Sequence, residues 1–322
     1  MNASPSPPAD LSSLPKAEVH IHLEGSVRPA TLEEFASREG VSIPKVFHDL
    51  NSFVEVYGAA TQVMTRPGDY TRLVNEYCDD AIRAGVRYAE LEIAPAVTRG
   101  VQHRIAEAAE EASKQRELTV RLVLGLGRTV PVEIGFAALE VIKDLPGFVA
   151  VGLGGPEEGF PAEPFAGVFA EARRRGLHSV PHAGEDAGPA SVREALNALG
   201  AERIQHGVRS IEDPALVAEL AERGIGLAVC PTSNLRLGVV PSLDEHPLRR
   251  LWDAGVAVSV NTDDPGFFDC DLVGEYAIAG RLLALDRAGY GRLARNAVDS
   301  SFAPDALKEE LRSEISAWVR RA

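Results

Sequence analysis

Between residues 17 and 261 the chain switches eight times between a short apolar run and a helical pattern. The runs fall at 17–23, 86–93, 119–126, 148–153, 179–182, 203–207, 225–230 and 256–261. A helix between successive strands returns the chain to the same end of the sheet, so the strands must be parallel. The later runs are almost continuously apolar, as strands buried on both faces are. Eight such units in 322 residues point to an α/β fold closed as a (β/α)₈ TIM barrel, ahead of an open doubly wound sheet. Extra helical patterns follow the first strand, at 29–40, 52–64 and 67–84, and fill the C-terminal stretch 272–322. No linker or low-complexity stretch divides the interior, so residues 14–322 read as one domain. Residues 1–13 are rich in Pro, Ser and Ala, without a basic start or apolar run, and read as a disordered tail.

The formal net charge is −14, from 33 Lys and Arg against 47 Asp and Glu. A surface of that sign repels phosphate backbones and argues against a nucleic-acid partner. No apolar run approaches the ~20 residues that cross a bilayer, so no membrane partner is expected. Cys78, Cys230 and Cys270 show neither CxxC nor zinc-ligand spacing. They read as isolated reduced thiols of a cytoplasmic protein.

A barrel of this kind carries its chemistry where the strands end at their C-terminal side. His20 and His22 end the first run, two residues apart and therefore on one face. His182 ends the fifth run, with Glu185 three residues on, and His206 ends the sixth. Asp263 and Asp264, within Asn261-Thr262-Asp263-Asp264-Pro265, follow the eighth. Three histidines and a carboxylate suit zinc with a position left for water; iron or manganese share these ligand types. A metal so held lowers the pKa of its water towards ~7. Glu185 is then free to move a proton, and His206 and Asp264 to orient the water. Glu90 and Glu92 share a face of the second run and read as structural partners of arginines.

These motifs, in order, are His20-Ile21-His22-Leu23-Glu24-Gly25, His182-Ala183-Gly184-Glu185, His206-Gly207 and Asn261-Thr262-Asp263-Asp264-Pro265. Their ordered set resembles the adenosine deaminase family of the metal-dependent amidohydrolase superfamily, from about Leu14 to Pro304. The resemblance implies one Zn²⁺ on His20, His22, His182 and Asp263. It implies that Glu185 donates a proton to purine N1, and that His206 takes a proton from the zinc-bound water and orients it. Asp264 would hold that water or purine N7, and the backbone N–H of Gly155 would reach purine N3. The implied reaction is attack on C6 of a 6-aminopurine nucleoside of adenosine type, releasing ammonia.

Glu24 stands where the animal adenosine deaminases carry Asp, on the ribose side. The loop Gly152-Leu153-Gly154-Gly155-Pro156-Glu157 lacks the Asp-Ser-Ser-Glu pattern of adenine deaminases. The alternatives are therefore an aminodeoxyfutalosine deaminase of menaquinone biosynthesis, an adenine deaminase, and a purine-binding barrel without catalysis. Arg236 and Arg66 are the candidates to meet an acidic 5′ group, although both also read as ordinary surface arginines. A second metal would need a bridging Lys or Glu at the end of the fourth strand, where none stands; Lys143 lies in the preceding helix.

Overall fold

The computed structural model describes residues 7–94 and 100–321. Eight parallel strands form the barrel: β1 (Lys16–His22), β2 (Val86–Ile93), β3 (Thr119–Gly127), β4 (Phe148–Gly154), β5 in two pieces (His178–Ser179 and His182–Ala183), β6 (Arg203–His206), β7 (Gly226–Val229) and β8 (Val258–Val260). Each pairs in parallel with the next. The break in β5 falls at Val180-Pro181, where proline has no N–H to give a ladder. The chain stays in register across it: Val180 N–H donates to Val151 O, and Gln205 N–H to Pro181 O. Closure comes from an Ile21–Asp263 bridge, with His22 N–H donating to Asp263 O at 2.9 Å and Asp263 N–H to His20 O at 3.2 Å. The eightfold alternation in the sequence is thus a closed barrel, and the residues that seal it belong to two of the motifs.

The helices are α1 (Pro29–Glu39), α2 (Leu50–Thr61), α3 (Pro67–Arg83), α4 (Gln102–Gln115), α5 (Val132–Ile142), α6 (Ala166–Arg174), α7 (Pro189–Ala198), α8 (Pro214–Arg223), α9 (Pro231–Arg236), α10 (Leu248–Asp253), α11 (Pro265–Phe268), α12 (Leu272–Leu283), α13 (Arg287–Ser300) and α14 (Asp305–Arg320). Proline opens six of them at a position where a missing N–H costs nothing, α1, α3, α7, α8, α9 and α11. α2 begins two residues before the expected start, because Asp49 and Ser52 form a capping box. The C-terminal helix α13 packs on β1 and β8 and covers the closing seam. Over the mouth, Phe53 of α2 packs with Leu237 and Phe268, which ties α2 to the segments after β7 and β8. Among the described residues no helix is long and apolar enough to cross a membrane.

Two polar groups organise the barrel interior. Arg203 Nη2 donates to Glu90 at 2.6 Å and to Val19 O at 3.0 Å, both sites fully enclosed. This is the arginine pairing expected for Glu90. Lys16 is buried and donates to the carbonyls of Leu11, Leu14 and Ala84 at 2.5–2.8 Å. The contact to Leu11 ties down the C-terminal end of the expected tail. Residues 1–6 lie outside the described residues, but Leu11–Ser13 is a 3₁₀ turn with Leu11 buried. Asp10 pairs with Arg287 at 2.8 Å, and Trp318 donates to Ser13 Oγ. Composition marked the segment as unstructured because one buried leucine and one salt bridge leave little trace in it.

Candidate active site

The strand ends bring His20, His22, His182, Glu185, His206, Asp263 and Asp264 to one place. His20 Nε2 lies 3.1 Å from His182 Nε2 and 3.2 Å from Asp263 Oδ1, and His22 Nε2 lies 3.2 Å from the same oxygen. His206 belongs to the cluster as well: the ligand atoms of His20, His182, His206 and Asp263 all fall within 4.8 Å of one another. His206 and Asp263 adopt φ of +62° and +64°. Non-glycine residues in that region cost roughly 1–3 kcal/mol each and persist where the surroundings impose them. Here the imposition is the turn that swings each side chain over the barrel mouth.

The donor set fits a metal ion. Zinc bound at about 2.0–2.1 Å puts neighbouring tetrahedral ligand atoms roughly 3.3 Å apart, close to the spacings seen. The electrostatics ask for a cation. Burial works against ionisation of Asp263, yet His20 and His22 hold its carboxyl well below the usual range. Burial likewise opposes protonation of His22, but Asp264, Asp263 and Glu92 hold its imidazole well above the usual value. Outside this cluster, His20 Nδ1 meets Ala228 O at 3.0 Å, a contact that leaves Nε2 free to ligate.

The groups expected to move protons lie in and beside the cluster. Glu185 is buried, and burial with Asp263 nearby pushes its carboxyl well above the usual range. One of its oxygens lies 3.4 Å from His206 Nε2. Burial does the same to Asp264. Burial pushes the His206 imidazole down to about 3, so the ring is neutral. Gly155 lines the cavity with φ of +92°, a conformation that side-chain-bearing residues rarely adopt.

A cavity of about 240 Å³ opens over these groups. His22, His182, Glu185, His206, Asp263 and Asp264 line its floor; Leu50, Phe53, Tyr57, Val130, Ile134 and Leu237 line its wall. Glu24 is not on that lining. It is fully buried, pushed up to about 7 by burial, and accepts a hydrogen bond from Tyr57 Oη at 3.3 Å. Tyr57 therefore faces the cavity with Glu24 behind it. Neither Arg236 nor Arg66 reaches the lining: Arg236 sits over the Phe47 ring, and Arg66 caps α3 with Asp69. Lys143 pairs with Glu140 on the surface.

Four residues at the site were given no functional role by the sequence. Glu92, read as structural, lines the cavity with Oε2 unpartnered. Gly125 and Gly152 make room for it, since a Cβ at either would come within 2.5–2.8 Å of its carboxylate. Glu157 accepts from the backbone N–H of Gly184, Glu185 and Asp186 at 2.8, 2.8 and 3.2 Å, and from Ser191 Oγ. Arg128 donates to His182 O at 2.7 Å and to Phe160 O at 2.9 Å. The turn from His182 to Asp186 is thus gripped by its carbonyl at one end and its amides at the other. Asn234 Nδ2 lies 3.2 Å from His206 Nδ1.

Comparison with known proteins agrees with this geometry. The sequence profile of the family described as "Adenosine deaminase" matches residues 15–318. The chain is 41% identical to the aminodeoxyfutalosine deaminase of Streptomyces avermitilis over 330 residues, covering 96% of this chain and 92% of that one. It is 39% identical to the adenine deaminase of Cupriavidus necator over 320 residues, covering 94% and 91%. The crystal structure of an amidohydrolase from Burkholderia ambifaria, with bound Zn, superposes with a TM-score of 0.87 at 26% identity, covering 97% of this chain and 92% of that one.

Proposed function

We propose that this chain, which belongs to the adenosine deaminase family, is an aminodeoxyfutalosine deaminase. It is a hydrolytic deaminase related to the purine deaminases. The sequence alone put an adenosine-type nucleoside first. The relative at 41% identity favours the alternative. The observation that carries the reading is the apolar wall formed by Leu50, Phe53, Val54, Tyr57, Val130 and Ile134. A free purine leaves most of that wall facing water. A nucleoside with a bulky 5′ group covers it, at about 25 cal/mol per Å² of apolar surface removed from water. No Lys or Arg lies among the described lining residues, so the acidic end of that group is placed at the open mouth, hydrated. A relative at 39% identity named adenine deaminase supports the second reading. Against it stands the Gly154-Gly155-Pro156-Glu157 loop, which differs from the Asp-Ser-Ser-Glu pattern.

In this reading one Zn²⁺ is held by His20, His22, His182 and Asp263. Zinc so bound supplies a Lewis acid that makes water a competent nucleophile near neutral pH. The chain does the rest. Gly155 N–H fixes the purine by N3. Glu185, its carboxyl held well above the usual range by burial, donates to N1 and makes C6 electrophilic. Asp264 and His206 fix the attacking water against C6. Having given its proton to N1, the Glu185 carboxylate takes up the proton that the attacking water loses, passes it to the departing ammonia, and is restored by the second proton as the C6 oxygen becomes a carbonyl. Measuring kcat/KM for aminodeoxyfutalosine, adenosine and adenine at one pH tests the substrate assignment. The first is expected to lead by ~10²-fold or more; adenine leading would overturn it.

A further inference from the structure

We infer that a hydrogen-bond relay from the backbone of Leu248 through His246 and Asn234 fixes His206 with its proton on Nε2, so that His206 offers the reaction centre a donor. The inference rests on the reading of His206 as a site residue. It revises the expectation that His206 takes a proton from water.

The relay can be read in one direction only. Leu248 N–H, at the first residue of α10, donates to His246 Nδ1 at 3.0 Å. A backbone amide cannot accept, so that nitrogen holds a lone pair. The proton of the neutral ring is then on Nε2, which lies 3.2 Å from Asn234 Oδ1. A carboxamide turned the other way would set two donors against each other, so its orientation is fixed. Asn234 Nδ2 therefore faces His206 Nδ1, at 3.2 Å. An amide nitrogen only donates, so His206 Nδ1 is the acceptor and the proton of its neutral ring is on Nε2. That nitrogen lies 3.4 Å from Glu185 Oε1 and 3.7 Å from Asp263 Oδ2.

Nothing else competes for these atoms. Asn234, His206 and His246 are 0%, 1% and 5% exposed, so bulk water does not reach them. Burial holds His246 down at about 4, so its ring is neutral at pH 7. The partner on the far nitrogen of a histidine sets which nitrogen carries the proton. A backbone N–H is the firmest such partner, because it cannot rotate or change protonation. Asn234 and His246 are accordingly positioning residues. They orient the His206 ring and make its Nε2 donate to the oxygen that attacks C6.

Long-range ¹H–¹⁵N spectra of histidine-labelled, zinc-loaded enzyme at pH 7 test this. The His206 and His246 signals are assigned by their loss in His206→Gln and His246→Gln. Both rings are expected to show an unprotonated Nδ1 and a protonated Nε2. In Asn234→Asp the carboxylate only accepts, so the His206 proton should move to Nδ1. Its kcat should fall by up to ~10⁴-fold, the cost of a wrong tautomer in a hydrolase triad, with zinc content kept and KM changed less than ~3-fold. A wild-type His206 protonated on Nδ1, or an unchanged tautomer in Asn234→Asp, would overturn the relay. If Asn234→Asp does not fold, the wild-type spectrum decides alone. Absence of turnover on every 6-aminopurine would sink the functional reading and leave the tautomer result standing.

Discussion

Gly25 faces the carboxylate of Asp264 so closely that a Cβ there would overlap Oδ1 and come within 2.6 Å of the carboxyl carbon. The glycine after Glu24 is therefore part of the site: its bare α-carbon is the floor on which Asp264 lies. Gly25→Ala should push Asp264 out of place and lower kcat by ~10²-fold, since a misplacement of about 1 Å is commonly worth that much. The thermal midpoint should fall by only a few degrees. An unchanged kcat in a folded Gly25→Ala protein would show that Asp264 does not position the water.

Glu185→Gln should keep its metal and lose ~10² to 10⁴-fold in kcat, the usual worth of a general acid. The pH profile gives the sign. Burial raises the Glu185 pKa, so the active, protonated form is complete at lower pH and is lost as pH rises through the raised value. The alkaline limb of kcat against pH should be absent from the residual activity of Glu185→Gln, because an amide does not titrate. Persistence of that limb would assign it to another group.

Glu157 acts through Glu185 by holding the Gly184–Asp186 amides. Glu157→Gln turns one acceptor oxygen into a donor facing those amides. Exchange of the three amides with solvent should speed up by ~10-fold or more while the rest of the barrel is unchanged. The kcat should fall in the wild-type background and hardly change in Glu185→Gln, a coupling expected of residues that act as one unit. Equal losses in both backgrounds would make Glu157 a scaffold residue only.

His246 is buried neutral, at about 4 in the folded chain against about 6.5 unfolded. A lowered histidine pKa means the unfolded chain binds the extra proton, so stability is full above ~6.5 and falls as pH drops towards 4. His246→Gln removes this loss. Between pH 7 and 5 the urea-unfolding free energy of the wild type should drop by about 2 kcal/mol more than that of the variant. Equal drops would mean that His246 is not held neutral by burial.

Much of this site was legible in the sequence for a simple reason. His20 and His22 share a face because a strand repeats every two residues, and a barrel gathers its strand ends at one rim. Glu185 and Asp264 follow those ends directly. What stayed hidden depends on contacts between loops far apart in the chain. Glu157 meets Gly184 across 27 residues, and Asn234 meets His206 across 28. Glu92 was read as a twin of Glu90 because both share a strand face. Only the glycines opposite it, Gly125 and Gly152, show that its carboxylate has room to enter the cavity. Glu24 was placed towards the sugar by motif, and the fold puts the Tyr57 ring in between.

We propose that one metal, held by His20, His22, His182 and Asp263, serves a single deamination centre. Titrating metal-free enzyme with Zn²⁺ while following ammonia release from aminodeoxyfutalosine tests it most directly. Activity should rise linearly and break at one zinc per chain, and His182→Ala should abolish both binding and release. A break at two zinc ions per chain, with no activity at the first, would contradict a one-metal centre and point to Glu92 as a ligand.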